Sequence, residues 1–410
     1  MNFDRGFSPA DILLPARPAD PARWAVIACD QYTSQRDYWN RVEELVGDAP
    51  SALRLIQPEI DLDKAEDNLP SIRRHMREYL DKGILTKQVS GGFVLTLRTT
   101  FSGSRPGLVG RVDLEKYDFT PGTSAPIRAS EGTIIERLPP RMRIREGAEI
   151  ELPHIMLLAD DPEGKLVESA FERVKDDALI YDFELMLGGG LLTGWKIEDE
   201  ESLALIDRAL DSLYADGDGF LAAVGDGNHS LATAKACWEK IKPSLSEEQR
   251  LTHPARFALC EIVNLHCPAL IFRPIHRAVF GAEAKELEND FISYMAARGK
   301  RLIAGGDIRF LGGGSYSVEG EDDVLPTVYL QPWLDGYLKA HEGASVDYVH
   351  GEEALKSVCK SMHAVGIELG PIDNYALFPS VRLNGVLPRK SFSMGEADEK
   401  RFYMEAARIK

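Results

Sequence analysis

The sequence predicts a mixed α/β fold of the α+β kind, and three observations carry that prediction. Short apolar runs closed by glycine or polar turns are interleaved with stretches whose apolar residues recur every three or four positions. The two patterns follow each other along the whole chain of 410 residues, with no internal repeat and no low-complexity tether. One junction shows both at once: Phe220 to Val224 reads as a buried strand, whereas Leu231, Ala234, Lys235 and Trp238 recur on one helix face.

The elements follow in order. Trp24 to Cys29 has the pattern of a short buried strand and ends at Asp30 and Gln31. Thr33 to Gly47 predicts a helix with a capping serine and a closing glycine. Pro70 to Lys82 predicts an amphipathic helix stopped by Gly83, and Phe93–Thr100 with Leu108–Lys116 predicts a hairpin around residues 102–107. The arginine-rich stretch from Pro139 to Arg145 is compatible with a solvated strand. His154 to Ala159 predicts a buried strand ending in a turn at 160–164. The triple glycine at 188–190 lacks a Walker A lysine and the dinucleotide spacing, so it predicts a hairpin turn. A helix is expected from about Glu200 to Tyr214, and another closing the chain from Glu396 with Phe402 and Tyr403 packed down. The chain is expected to form one unit over 1–410, with lobes at 1–280 and 281–410 divided by packing alone.

A formal charge of −17 makes nucleic acid and anionic membrane surfaces poor partners, and a small-molecule substrate is expected instead. No apolar run reaches the length of a membrane span and the N-terminus lacks the order of a secretory signal, so cytoplasmic residence is expected. Five scattered cysteines argue against a disulfide framework. Cys260, His266 and Cys267 lack a second ligand cluster, so no structural zinc is expected there. The oligomeric state stays open, a homo-oligomer included.

Three places carry chemistry. Asp226, Gly227, Asn228, His229 and Ser230 stand where a strand turns into a helix, and backbone N–H groups at such a turn suit a phosphate or carboxylate. The alternative is that Asn228 or Ser230 merely caps the helix. Arg128, Arg137, Arg141, Arg143 and Arg145 form a local basic reversal in an acidic chain, with Glu131 and Glu136 among them. As a group they suit an anion, and singly they suit surface ion pairs. Lys390 and Ser391 lie in a dense C-terminal segment that is either site or surface.

Cys29–Ser34, Arg128–Arg141, Gly225–Ser230 and Leu387–Ser393 together resemble, in order, the motifs of a bacterial and archaeal domain-of-unknown-function family, number ten-fifteen. The resemblance spans nearly the whole chain. It implies a ParB/sulfiredoxin-like nucleotide-binding core with additional helices and strands, related to free serine kinase, in which an Asp-Gly-His-His-Arg-like loop holds nucleotide phosphates. Asp226, Gly227 and His229 match that loop; Asn228 stands where a histidine is common and Ser230 where an arginine is common. Serine cannot replace the bidentate phosphate contact of arginine, so Arg128, Arg137, Arg141 or Lys390 would have to supply the charge. Glu131 is similar to the glutamate of a His-Glu motif, with Ser130 at the histidine, and Thr133 follows it as a ligand candidate. Asp30 resembles the aspartate of a Tyr-Asp motif, and Lys390-Ser391 a Lys-Ser motif.

The resemblance implies phosphoryl transfer from ATP or ADP with Mg²⁺ to a small hydroxyl metabolite such as serine. The roles divide among the named residues: the 226–230 turn and the cations hold phosphate, Glu131, Asp30 or His229 moves the proton, and Asp226 is the candidate magnesium ligand. A nucleotide or phosphometabolite sensor and a phosphoserine-type phosphatase are the rival readings. The first of these readings requires Asp30, Glu131, His229 and Lys390 to line one cleft.

Overall fold

The computed structural model describes residues 1–16, 19–135, 138–322 and 324–410. It is a mixed α/β protein built on a large mixed sheet and a smaller antiparallel one. The larger has eleven strands. Its antiparallel half runs through Tyr181–Leu185, Gly190–Ile197, Leu85–Thr100, Gly103–Asp113 and Phe257–Asn264, and its other half adds Met156–Ala159, Ala222–Asp226, Ile127–Ala129 and Tyr117–Asp118. Around the site the pairing mixes directions: Ala222–Asp226 is antiparallel to Met156–Ala159 and parallel to Ile127–Ala129.

Alternation along these strands explains why both sheet faces are covered. Val94, Val109 and Leu259 face a core that holds Trp24, Trp39 and Tyr403, while Phe93, Leu95, Leu108 and Ile262 face one that holds Trp195, Ile206 and Trp238. Helices Val167–Val174, Glu200–Asp216 and Asn228–Ile241 supply apolar stripes to the second core.

The smaller sheet has six strands, among them Phe272–Phe280, Ser345–His350, Val365–Leu369 and Phe392–Met394. A third core joins the sheets: Met156, Leu158 and Ala223 of the larger meet Phe272, Phe392 and Met394 of the smaller. The chain end returns to the first half, where Phe402–Tyr403 pairs with Val26–Ile27 and Ala407–Arg408 pairs with Ile150–Glu151. Among the described residues no helix is long and apolar enough to cross a membrane.

Three expectations need correction. Trp24 to Cys29 is not one strand: Pro21–Trp24 is a helical turn capped by the Asp20 side chain, and only Val26–Ile27 is paired. The arginine-rich stretch is a helix, Leu138–Glu146, because two prolines in its first turn lose no helical hydrogen bond there. The closing helix is absent. Ala397–Glu399 makes one short turn, and Phe402–Tyr403 extends because both rings are buried by pairing with Val26–Ile27. The other helices stand near their expected bounds, although Ala65–Asp81 begins five residues before Pro70 and carries that proline inside.

Candidate functional site

The turn after Ala222–Asp226 is shaped by Gly227, whose φ of +81° is left-handed and which caps Asn228–Ile241 with no side-chain bond. A Cβ there would lie 3.1 Å from the Ile155 Cα, so close approach as well as φ requires glycine. Asn228 does not cap the helix. Its Oδ1 accepts from Ser130 N at 3.2 Å and its Nδ2 donates to Ser130 Oγ at 3.2 Å, which ties the helix start to the end of the neighbouring strand. His229 Nε2 accepts from Ile134 N at 3.4 Å. The segment around Glu131 is thus held on two sides.

Asp226 lies partly buried with Oδ2 3.1 Å from Lys400 Nζ, and its Oδ1 accepts from Gly227 N at 3.0 Å. Burial disfavours its charge, but the Lys400 ammonium and hydrogen bond, with help from His154, hold the carboxyl below the ordinary value. Lys400 is a residue that sequence reasoning missed.

Glu131 answers to the C-terminal segment. Leu387 N donates to Ser130 O at 2.7 Å and Gly132 N to Leu387 O at 3.1 Å, so the two segments are bridged. Glu131 Oε1 then accepts from Ser391 N at 3.1 Å. Burial pushes its carboxyl above the ordinary value, the Ser391 and Lys390 groups pull it back, and the Asp226 charge adds to the rise. Lys390 has a left-handed φ of +58°, rare for a residue with a side chain, and its carbonyl is held by Arg277 Nη2 at 3.0 Å. The Arg277 guanidinium is fully buried, stacked near the Tyr348 ring at 5.1 Å. The Lys390 side chain itself is exposed. Lys390 and Lys400 both act electrostatically on His350, whose imidazole is pushed below its ordinary value first by burial and then by Lys390.

A hydrogen-bonded relay also reaches the turn at Ser230. Cys29 N donates to Tyr403 Oη at 3.1 Å, Tyr403 Oη lies 2.7 Å from His154 Nδ1, and His154 Nε2 lies 2.9 Å from Ser230 Oγ and 3.9 Å from Asp30 Oδ2. Burial raises the Tyr403 phenol well above its ordinary value, so it keeps its proton. Tyr403 can donate that proton to His154 Nδ1 in a hydrogen bond, and in that arrangement His154 carries a proton on Nε2, toward Ser230 and Asp30. His154 and Tyr403 were also missed. A histidine opening a buried strand at Pro153-His154 was the available signal; Lys400 and Tyr403 were hidden by the expected helix.

The remaining candidates are placed as follows. Arg128 stacks over the Phe220 ring at 4.2 Å and its Nε donates to Ala125 O at 2.8 Å. Arg141 pairs with Glu59, and Arg145 with Glu151. Ser391 is fully buried, its hydroxyl donating to Pro388 O at 2.7 Å and accepting from Thr327 Oγ1 at 3.0 Å, so only its backbone faces Glu131. Thr133 Oγ1 is buried with no hydrogen-bond partner among the described residues. Glu136 and Arg137 lie outside the described residues. Among the described residues no group of three or more His, Cys, Asp or Glu side chains is arranged to hold a metal ion. Asp226, Glu131 and Lys390 are thus in electrostatic contact, and Asp30 and Ser230 meet through His154.

An arrangement of two carboxylates and two lysines at a helix start can bind an anion and move a proton beside it. No curated protein matches the chain. Among solved structures it is similar to a conserved hypothetical protein from Pyrococcus furiosus, at 13% identity over 73% of this chain and 94% of that one with a TM-score of 0.37. It is also similar to a free serine kinase in complex with AMP, at 12% identity over 73% and 91% with a TM-score of 0.38. A mutant free serine kinase in complex with ADP gives 12%, 73%, 91% and 0.38. Residues 13–363, most of the chain, match the family described as protein of unknown function DUF1015, and the chain belongs to that family.

Proposed function

We propose that the protein transfers a phosphoryl group from a nucleotide to a small hydroxyl-bearing metabolite at the cleft between the 226–230 turn and the 387–391 segment. The observation that carries this reading is Glu131: a carboxyl raised by burial, clamped by the backbone of Ser391, in electrostatic contact with Lys390 and Asp226 at the start of a helix. A base of raised pKa beside cations is what abstraction of a hydroxyl proton next to phosphate requires.

ATP or ADP, when bound, supplies the phosphoryl group. The site suits its phosphates, because the helix start has no side-chain cap, Lys400 pairs with Asp226 just before it, and Lys390 acts on the neighbouring Glu131. A magnesium ion on Asp226 would share the carboxylate with Lys400, already at 3.1 Å. Within the chain the division of labour is direct. Lys390 and Lys400 offset charge on the transferred group, Asp226 fixes Lys400, and Glu131 takes the hydroxyl proton as the new O–P bond forms and the nucleotide leaves with its bonding electrons. The same reading keeps Asp30, Glu131, His229 and Lys390 on one cleft and extends the kinship to the ParB/sulfiredoxin superfamily.

The test is nucleotide consumption with ATP and ADP against a panel of small alcohols and hydroxy amino acids. Glu131→Gln should lower turnover by about two to four orders of magnitude with little change in affinity. Binding without consumption under every condition would replace the transferase by a sensor, and phosphate release from phosphoserine would replace it by a hydrolase.

A further inference from the structure

A cavity of about 160 Å³ lies beside the turn and is lined by Ser230 of its helix start. Its polar end is built by Cys29, His154, Ser230 and Tyr403, which are the relay described above. Most of the remaining wall is apolar, with Leu55, Ile56, Met76, Ile144, Ala148 and Ile409 among the lining side chains. The volume matches that of an apolar cavity known to take up benzene, about 150 Å³. Two ion pairs, Arg141 with Glu59 and Arg145 with Glu151, also reach the wall, and each cancels its own charge.

We infer that this cavity binds the apolar body of a neutral, hydroxyl-bearing small molecule of about eight heavy atoms, and that this molecule is the phosphoryl acceptor; the second clause rests on the function proposed above. Size and lining set the class. An ion would be buried among walls whose charges are already matched, and a zwitterion such as serine would leave the apolar wall unfilled and bring two unpaired charges. The relay sets the orientation. His154 Nε2–H serves Ser230 Oγ, which leaves the Ser230 hydroxyl proton to bond the ligand oxygen at the end of the cavity that adjoins Asp30 and the Asp226 turn.

The experiment is calorimetric titration of benzyl alcohol and of L-serine into the full chain without nucleotide, repeated on Ile144→Phe and Ala148→Leu, which enlarge side chains on the wall. Benzyl alcohol should bind saturably, and each filled variant should weaken it at least tenfold; serine should not saturate. Ile144 is only partly buried, so its variant keeps the test available if Ala148→Leu fails to fold. Saturable serine binding with none by benzyl alcohol overturns the ligand class, as does unchanged affinity in both variants. If benzyl alcohol binds as expected but no alcohol of this class supports nucleotide consumption, the acceptor role falls while the ligand class is upheld, and that result is separate from failure of nucleotide to bind.

Discussion

Lys400→Met should expose how far the Asp226 ion pair holds the turn together. The substitution keeps the length and apolar stem of the side chain and removes its charge. Asp226 would then retain Gly227 N–H as a partner but face Glu131 without a cation 3.1 Å away. Removing one member of a buried pair costs about 3–5 kcal/mol, and an exposed pair is worth about 0–1 kcal/mol. With side chains 12% and 24% exposed the Lys400–Asp226 pair lies between these limits, and a loss of about 2 kcal/mol is expected. The pH dependence has a definite sign. A carboxyl lowered in the folded state binds its proton less tightly than in the unfolded chain, so the stabilisation is complete above the unfolded value of about 3.9 and disappears as pH falls through the folded value. Urea denaturation of the wild type, Lys400→Met, Asp226→Asn and the double variant at pH 7 and pH 3 would measure this. At pH 7 the sum of the two single losses should exceed the loss in the double variant, and at pH 3 this coupling should shrink. Additive losses at pH 7, or a Lys400→Met variant as stable as the wild type, would refute the argument that this pair organises the turn.

Two further expectations concern residues around the site. Arg128→Ala should cost about 0.5–2 kcal/mol of folding stability through the lost stacking on Phe220, so urea denaturation must accompany any nucleotide titration of this variant; an unchanged midpoint would sink the stacking argument. The Cys29 thiol, pushed up to about 12 by burial and then by Asp30, should be alkylated by iodoacetamide at pH 8 about three orders of magnitude more slowly than in the urea-unfolded chain. Equal rates in the folded and unfolded protein would show that the relay at Tyr403 and His154 is open to solvent.

Local pattern made most of the fold legible. The runs near 93–100, 154–159 and 220–224 are strands because their periodicity had no competing helical reading, and residues 200–216 form a helix with Asp199 as its side-chain cap. The missed chain end has one cause: burial by a distant segment. Phe402 and Tyr403 fit a helix face or a strand equally well in isolation, and pairing with Val26–Ile27, more than 370 residues away, decides between them. The charges of the 139–145 stretch alone suggest a solvated strand, but its prolines stand where a helix tolerates them.

The site follows the same division. Gly227 and Asp226 could be picked out because a strand-to-helix turn announces itself locally, whereas Glu131 stood out only through its resemblance to a family motif. The cations could not be assigned that way. Lys390 and Lys400 stand next to other arginines and lysines of similar local sequence, and what distinguishes them is the support beneath. Arg277 holds the backbone of Lys390, while Arg401, in ion pairs of 2.7 Å to Glu261 and 2.6 Å to Glu405, fixes the strand that presents Lys400 and Tyr403 on either side of it. Arg401 is therefore the keystone of both the Asp226 pair and the His154 relay, and it also donates to the Pro153 carbonyl just before His154. A buried arginine beside two glutamates leaves no periodic trace in the sequence, because its partners lie about 140 residues away and four residues ahead and belong to different elements. The candidate chemistry thus rests on a scaffold of buried ion pairs whose positions only the folded chain defines.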